Sequence, residues 1–295
     1  MNKPTIWATQ VLINLRAAIV YGAPTVTNRN YQGQINQAGD RVKVTGLVDP
    51  TIFDVTPNTD IPDPETLTDT EAELVIDQNK GFNFQVDDVD QLQHAVGGIQ
   101  LQSAANAARR LAEVADNSIA LKMVSEVDAA NKIGTTGTPL DVDAPEPGVA
   151  LQAGATSTYR VLVRLGIKLD KKNVPSAGRW VVLPPFMMGA LAVDQRFTAA
   201  TQQGEDVLRN GFQGRCAGFD VYTTSAVPVS ADKYSVIAGS TIATSYAEQL
   251  INVEFYRPQL RFANAAKGQH VYGHKTFYPE ALAVATVQDV SDLDT

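Results

Sequence analysis

The chain has 295 residues, of which 44% are hydrophobic and 19% charged, a globular composition with enough length for one large or two moderate domains. Its formal net charge of −8 argues against ordinary nucleic-acid binding, which requires a basic face to neutralise phosphates. The single cysteine, Cys216, excludes an internal disulfide, which fits a cytoplasmic origin, and no run of about 20 apolar residues is present to span a membrane.

The first part of the chain predicts an arm and then a set of strands. Residues 1–33 contain one short helical pattern and then a polar stretch with no clear period. The alternating run DRVKVTGL predicts a strand, and so do EAELVIDQ and KGFNFQV farther along. These strands flank residues 49–73, which hold eight acidic residues and four prolines but no Lys or Arg.

Three interpretations of this acidic stretch compete: a disordered linker, a calcium loop and a projecting two-stranded arm. The prolines are incompatible with the glycine-centred loop of an EF-hand. The stretch also has too many apolar residues for a loose linker, namely Ile52, Phe53, Val55, Ile61 and Leu67. Because a two-stranded hairpin is only marginally stable in isolation, a projecting arm implies a partner molecule.

A long helix is predicted next, from Ile99 to about Ile133. This segment has no Pro or Gly, and its apolar residues, mostly alanines, recur every three or four positions. At 1.5 Å per residue, such a helix would be a rod of roughly 50 Å. Gly97 and Gly98 precede it and are read either as a hinge or as an ordinary helix break. The Gly-, Pro- and Thr-rich residues 134–157 form the best domain boundary.

The second half of the chain alternates helical and strand patterns. A helix is predicted over about 157–172, followed by the buried strand RWVVL and a helix that begins at Pro185. GFDVYTT and KYSVIAG predict strands, and Ser240 is expected to cap a short helix in STIATSYAEQL. Two further strand-like runs close the chain. We therefore predict an α+β protein in which strands from both ends meet around the long helix.

Residues that carry chemistry are not arranged in any catalytic, cofactor-binding or metal-binding pattern. His94, His270 and His274 lack the neighbours of a zinc site and are expected to be partly exposed. The glycine-rich GFQGRCAG does not match a phosphate-binding loop, and Cys216 within it lacks a nucleophile signature. The sequence therefore predicts that the protein is not an enzyme and holds no cofactor.

The order of arm, long hairpin, rod-like helix and α/β domain resembles the major capsid proteins of tailed bacteriophages. Their fold is shared with encapsulin shells and the floor of herpesvirus capsids. The run TSTYRVLVRLGIKLDKKNVPSAGRWVVLPPFMMGALAVDQRF is similar to the helix–strand–helix unit of the family's axial domain, and GHKTFYPEALAVATV to its return strands. The block from GDRVKV to FQVDD resembles capsid proteins of phages that infect actinobacteria.

The resemblance implies a division of the chain. Its parts would be an N-terminal arm (1–33), an extended β-hairpin loop (34–86), a peripheral domain with the spine helix at about 99–133 (87–149 and 269–295), and an axial domain (150–268).

The implied function is self-assembly, as pentamers and hexamers, into an icosahedral shell around double-stranded DNA, without sequence-specific binding.

The implied partners are further copies of the chain, a portal, a scaffolding protein and, as optional additions, decoration or minor capsid proteins. Only about 33 residues precede the loop, so we expect either a separate scaffolding protein or a small scaffolding segment that is missing from this chain. The protein would reside in the virion capsid and assemble in the host bacterial cytoplasm, with no membrane contact. The alternative on the same fold is the shell of an encapsulin-like nanocompartment.

Charge is distributed unevenly and suggests how copies meet. Residues 1–150 carry 20 acids and 10 bases, whereas 160–215 carry nine bases and four acids. We expect the acidic loop of one subunit to contact a basic surface of a neighbour. The predicted loop residues are Asp49, Ile52, Phe53, Asp54, Asp60, Ile61, Asp63, Glu65, Leu67, Asp69 and Glu71. The predicted basic residues are Arg160, Arg164, Lys168, Lys171 and Lys172.

Some members of the family cross-link covalently through a lysine of the extended loop. Residues 44–79 of this chain contain no Lys, although Lys43 and Lys80 flank them. We therefore expect this loop to hold its neighbour by packing and charge alone.

Overall fold

The computed structural model describes most of the chain, with gaps. The described residues are 19–30, 41–47, 52–55, 60, 63, 69–87, 99–144, 151–194, 214–260 and 262–291. Within them the chain is α+β, as predicted. None of the described helices is both long and apolar enough to cross a bilayer.

The predicted projecting strands form an antiparallel ribbon. Strand β1 (Arg41–Leu47) pairs with β2 (Asp69–Val75), with Arg41 opposite Val75 at one end and Leu47 opposite Asp69 at the other. Strand β3 (Gln78–Asp87) follows at once but does not extend this ribbon. It pairs instead with a late strand of the chain, so the two ends of the sequence do meet in one sheet.

Helix α1 (Ile99–Glu126) is the predicted long helix, but it ends earlier than expected, after 28 residues. Its alanine-rich stripe faces the core and contacts β3 and two late strands. After Glu126 the chain forms a 3-10 turn (Ala129–Asn131) and then a short strand. The buried Asn131 amide there donates to the carbonyl oxygens of Glu280 and Leu282, at 2.8 and 2.9 Å. Tertiary pairing therefore overrides the helical pattern of residues 127–133.

The rest of the chain builds two sheets and two further helices. The elements are β4 (Lys132–Ile133), β5 (Leu140–Asp143), β6 (Thr156–Ser157), α2 (Thr158–Asp170), β7 (Arg179–Leu183), α3 (Pro185–Val193), β8 (Arg215–Cys216), β9 (Phe219–Thr223), β10 (Val229–Ser230), β11 (Lys233–Ser240), β12 (Thr244–Tyr256), β13 (Ala263–Thr276) and β14 (Leu282–Asp289). The central sheet has the order β6-β5-β14-β11-β7-β9-β8, with β4 and β10 attached to β14 and β11. A second sheet has the order β12-β13-β3.

The prediction of a short helix after Ser240 is wrong. Residues 244–256 form strand β12, which pairs with β13 along most of its length as one long hairpin. Both faces of its first half are covered by other parts of the chain: Tyr246 and Ala247 are successive residues, they belong to different clusters, and both are fully buried. A strand with both faces covered shows no alternation of polar and apolar residues, so its pattern is ambiguous in the sequence.

The division into peripheral and axial domains remains a prediction. The central sheet takes strands from both sides of it: β14 lies between β5 and β11, and β11 pairs on its other edge with β7. Helix α2 covers this sheet with its apolar face, which consists of Val161, Leu162, Leu165 and Leu169. The core is thus continuous across the expected boundary.

Candidate assembly surfaces

The name arm is used below for the ribbon of β1 and β2 with the loop that joins them, and it does not refer to the N-terminal arm of residues 1–33. The end of this ribbon near Leu74 and Ile76, called its foot, is fixed to the body of the protein. Leu74 and Ile76 are buried at the foot against Val271. The backbone also comes very close to β13, since a Cβ added to Gly273 would lie 2.3 Å from the carbonyl oxygen of Val75. Only glycine fits at such a distance, so this residue sets where the arm joins the sheet.

The outer part of the arm exposes apolar side chains. Ile52 is 95% exposed and Val55 is 71% exposed, and Phe53 between them is also exposed. The exposed acidic residues of this part are Asp54, Asp60 and Asp63. Clustered apolar groups at a projecting end indicate a surface that a partner covers.

Other predicted contact residues lie outside the part of the chain that the structure describes, so their roles stay predictions. They are Asp49, Ile61, Glu65 and Leu67, together with the proposed hinge residues Gly97 and Gly98. Asp69 and Glu71 lie in β2, opposite Leu47 and Thr45, but their side chains fall outside the description as well.

The predicted basic residues lie on α2 and on the turn that follows it. Because the other side of α2 packs on the central sheet, they occupy its outward face, and two aliphatic residues lie among them. At helical spacing this face carries Arg160, Val163, Arg164, Ile167, Lys168 and Lys171. Val163 and Ile167 are exposed. The surface therefore combines positive charge with apolar area, which complements the acidic and apolar arm.

Two of the predicted lysines already have partners within the chain. Lys168 donates to the carbonyl oxygen of Ala130 at 2.7 Å. Lys172 forms ion pairs with Asp128 at 2.8 Å and with Glu280 at 3.2 Å, and these hydrogen bonds raise its pKa. These lysines therefore serve first to fix α2 to its surroundings.

The remaining basic residues make no such contact with the rest of the described chain. They are Arg160, Arg164 and Lys171. With Val163 and Ile167 they define the receiving face of α2, the name kept for these five residues below.

A buried polar network that the sequence did not predict joins the N-terminal segment to the second sheet. The carboxylate of Glu248 accepts from Arg29 Nη1 at 2.9 Å and from the Tyr246 hydroxyl at 2.8 Å, and it lies 3.3 Å from His270 Nε2. Arg29 also donates to the carbonyl oxygen of Gly22 at 2.7 Å. Burial raises the pKa of Glu248, but the His270 and Tyr246 hydrogen bonds and the Arg29 charge outweigh it, so the net pKa is lowered.

A second buried carboxylate joins the same segment to the long helix. Asp116 of α1 accepts from the backbone N–H groups of Val20 at 2.7 Å and Gly22 at 3.2 Å. Burial raises its pKa to about 6, although these backbone hydrogen bonds oppose the shift. Residues 19–30 are thus held between α1 and β12 by charged and polar groups as well as by packing.

The prediction of partly exposed histidines is wrong for His270, which is fully buried. Its sequence spacing from Glu248 gave no signal, because the two side chains meet only through the pairing of β12 with β13. His274 is half-buried, and His94 lies outside the described residues. Among the described residues, no three His, Cys, Asp or Glu side chains are grouped as metal ligands.

Comparison with known proteins gives no match by sequence but a clear match by structure. No protein-family model and no curated protein sequence matches the chain. A chain from Mycobacterium phage Che8 superposes with a TM-score of 0.69 and 26% sequence identity, covering 90% of each chain. The capsid of cyanophage P-SCSP1u superposes with a TM-score of 0.63 and 14% identity, over 88% of this chain and 85% of that one. The chain has the tailed-phage capsid fold.

This capsid fold is shared with a less similar relative. An encapsulin from Synechococcus elongatus superposes with a TM-score of 0.51 and 11% identity, covering 75% of this chain and 77% of that one. The predicted family resemblance and fold class are therefore confirmed, and the phage capsids match better than the encapsulin. The appearance of Mycobacterium phages among the matches agrees with the resemblance to phages of actinobacteria.

Proposed function

We propose that this chain is the major capsid protein of a tailed bacteriophage and that it has a structural rather than an enzymatic role. The observation that carries the proposal is the capsid fold over 90% of the chain, with a projecting arm whose outer end is uncovered in the single molecule. Copies of the chain assemble as pentamers and hexamers that close into an icosahedral shell.

The arm of one subunit docks on the receiving face of α2 in a neighbour. In this contact the acidic residues of the loop, among them Asp60 and Asp63, lie beside Arg160, Arg164 and Lys171. Exposed ion pairs contribute only about 0–1 kcal/mol each, so their role is to steer the approach and set the register. Apolar residues hold the contact, since burying one large aliphatic side chain contributes about 1.5–3 kcal/mol.

The contact is noncovalent, because residues 44–79 offer no lysine for a cross-link. Gly97 and Gly98 form a hinge at the start of α1 that lets one chain fit both pentamers and hexamers. The shell encloses double-stranded DNA without sequence-specific contacts, and the net charge of −8 limits adhesion of DNA during packaging.

The further partners are a portal, a scaffolding protein and, as optional additions, decoration or minor capsid proteins. Assembly takes place in the host cytoplasm, and the finished protein resides in the virion capsid.

Electron microscopy of the purified chain, alone and co-expressed with the phage scaffolding gene, tests this function. We expect closed shells tens of nanometres across. A chain that stays monomeric or forms only small discrete oligomers under both conditions contradicts the proposal. Closed shells that enclose an enzyme and never DNA would identify the alternative, an encapsulin-like nanocompartment.

A further inference from the structure

The last described residues lie beside the first turn of α2, the helix that carries the receiving face. Strands β14, β5 and β6 are parallel, so their carboxyl ends lie at one edge of the central sheet. Helix α2 begins at this edge, directly after Ser157 of β6, and packs against β14. Val290, just beyond β14, donates its N–H to the carbonyl oxygen of Val142 in β5 at 3.1 Å. The chain therefore leaves the sheet at the end where α2 starts.

The residues that follow can reach α2. Val142 is paired on its other edge with Thr156 of β6, so Val290 lies two strands, or roughly 10 Å, from Thr156. Residues 292–295, called the DLDT segment after their sequence, lie outside the described residues. Fully extended, they span up to roughly 13 Å. The first two turns of α2 are thus within reach of this segment.

The composition of the DLDT segment matches the surface that it can reach. It holds an aliphatic residue between two acids and has no base. The first two turns of α2 present Arg160, Val163 and Arg164 on the outward face, two positive charges beside an aliphatic group. The first turn holds no acidic residue, and the Ser157 side chain makes no capping hydrogen bond. Negative charge is therefore favoured here both by the arginines and by the helix dipole.

The DLDT segment also has the composition of the arm residues that we expect on the same face. Residues 60–63 of the arm have the sequence DIPD, and residues 292–294 have the sequence DLD. Each places one aliphatic side chain between two carboxylates. One surface cannot hold both segments at once, so the two compete for it.

We propose that the DLDT segment of an unassembled chain occupies the first two turns of α2 in the same chain and that the arm of a neighbour displaces it during assembly. The inference rests on the proposed arm contact and adds its regulation. A segment of the same chain is always near its site, so it covers the face when the protein is dilute. The arm offers more apolar area, since Ile52 and Phe53 are exposed. The contact therefore delays assembly until many arms are present.

A disulfide within one chain tests the contact directly. The full chain with Val163→Cys and Leu293→Cys is oxidised mildly at a concentration too low for assembly, and peptide mapping identifies the linked pair. We expect an intrachain disulfide that forms more slowly at high salt. The native Cys216 gives little background, since it is buried and burial raises its pKa to about 11.

Ile242 supplies the matched control. It is 47% exposed and follows Gly239 of β11, which pairs with Leu282 at the other end of β14. The chain with Ile242→Cys and Leu293→Cys should therefore stay reduced. Equal cross-linking of the two pairs, or a disulfide that joins only separate chains, overturns the inference.

Neutral side chains in the DLDT segment test its regulatory role. Asp292→Asn with Asp294→Asn removes both carboxylates, and Asp220→Asn with Asp232→Asn removes two exposed acids elsewhere. We expect the first variant to assemble at an about fivefold lower protein concentration, which corresponds to a face covered about four-fifths of the time. The control should keep the unmodified concentration. An unchanged or higher concentration for the first variant overturns the inference.

The two tests separate this inference from the function on which it rests. Shells from the unmodified chain without a selective disulfide overturn the DLDT contact and leave the shell function intact. If the unmodified chain forms no shells, the proposed function fails and the regulatory role with it. The intrachain disulfide then still reports whether the DLDT segment lies on α2.

Discussion

Removal of the Arg29 guanidinium is the sharpest test of how the N-terminal segment is held to the body. In the substitution Arg29→Met the apolar stem is kept, but Glu248 loses its cationic partner at 2.9 Å. The Glu248 side chain is only 1% exposed, so water cannot replace that partner. Loss of one member of a buried ion pair costs about 3–5 kcal/mol.

The lower end of this range is expected here. Glu248 keeps the Tyr246 hydroxyl at 2.8 Å and has His270 within 3.3 Å, and both offset part of the loss. We therefore expect the free energy of unfolding to fall by about 3 kcal/mol, out of the 5–15 kcal/mol that is usual for folded proteins. At roughly 2–4 °C per kcal/mol, the melting temperature would fall by roughly 6–12 °C.

Urea unfolding of the unassembled protein at fixed concentration measures this loss, and pH supplies an internal check. The folded-state pKa of Glu248 is lowered, so its ionisation stabilises the fold above the unfolded pKa of about 4.3 and less as pH falls through the folded value. The difference between Arg29→Met and the unmodified protein should therefore shrink below about pH 4.

The double variant Arg29→Met with Glu248→Gln is the control. It leaves no unpaired charge and should be markedly more stable than the single variant. A single variant that loses less than about 1 kcal/mol, or a double variant that loses as much as the single, would refute the reasoning.

Three other predictions concern the second buried carboxylate, the foot of the arm and the arm contact. Because the folded-state pKa of Asp116 is raised to about 6, its ionisation destabilises the fold as pH rises from about 4. Asp116→Asn should gain about 2–3 kcal/mol relative to the unmodified protein between about pH 4 and pH 7 in chemical unfolding, and an unchanged difference counts against the assignment. Gly273→Ala places a Cβ 2.3 Å from the Val75 carbonyl and should lower unfolding stability by about 1–3 kcal/mol, whereas Gly137→Ala, whose nearest neighbour is 3.8 Å away, should stay within about 0.5 kcal/mol. Equal effects of the two glycine variants would be inconsistent with a close backbone approach at the foot. Replacement of Asp60, Asp63 and Glu65 with Lys should impair assembly most at low salt, as followed by light scattering, and exposed Asp141→Lys serves as the control. Normal shells from the triple variant at low salt would exclude electrostatic steering by the arm.

The sequence predicts the elements that depend on local pattern. The alternation in DRVKVTGL and KGFNFQV gives β1 and β3, and the alanine stripe gives α1 from its first residue. Prolines and glycines mark the breaks between these elements, so their approximate bounds are encoded locally. The apolar and acidic composition of residues 49–73 likewise predicts a projecting contact segment; its described residues 52–55, 60 and 63 are exposed, and the contact itself stays a prediction.

The misjudged features depend on partners that are distant in the sequence. Strand β12 looks helical because both faces of its first half are covered: Tyr246 lies in the main core, and Ala247 packs with Leu74 and Ile76 at the foot of the arm. The end of α1 is set by Asn131 bonding to carbonyls about 150 residues away. Glu248 and Arg29 meet across 219 positions. Local propensity carries no information about such contacts.

The placement of charged and apolar groups fits the different demands on a shell subunit. Hydrogen-bonded charges are directional, and the buried groups around Glu248 and Asp116 therefore fix one geometry among residues 19–30, α1 and the second sheet. Apolar contact is not directional, since it depends on area removed from water. The proposed contact through the apolar groups of the arm can thus form at the slightly different angles of pentamers and hexamers. A subunit with the reverse arrangement would have a deformable body and contacts that tolerate only one angle, and it could not close an icosahedral shell from a single chain.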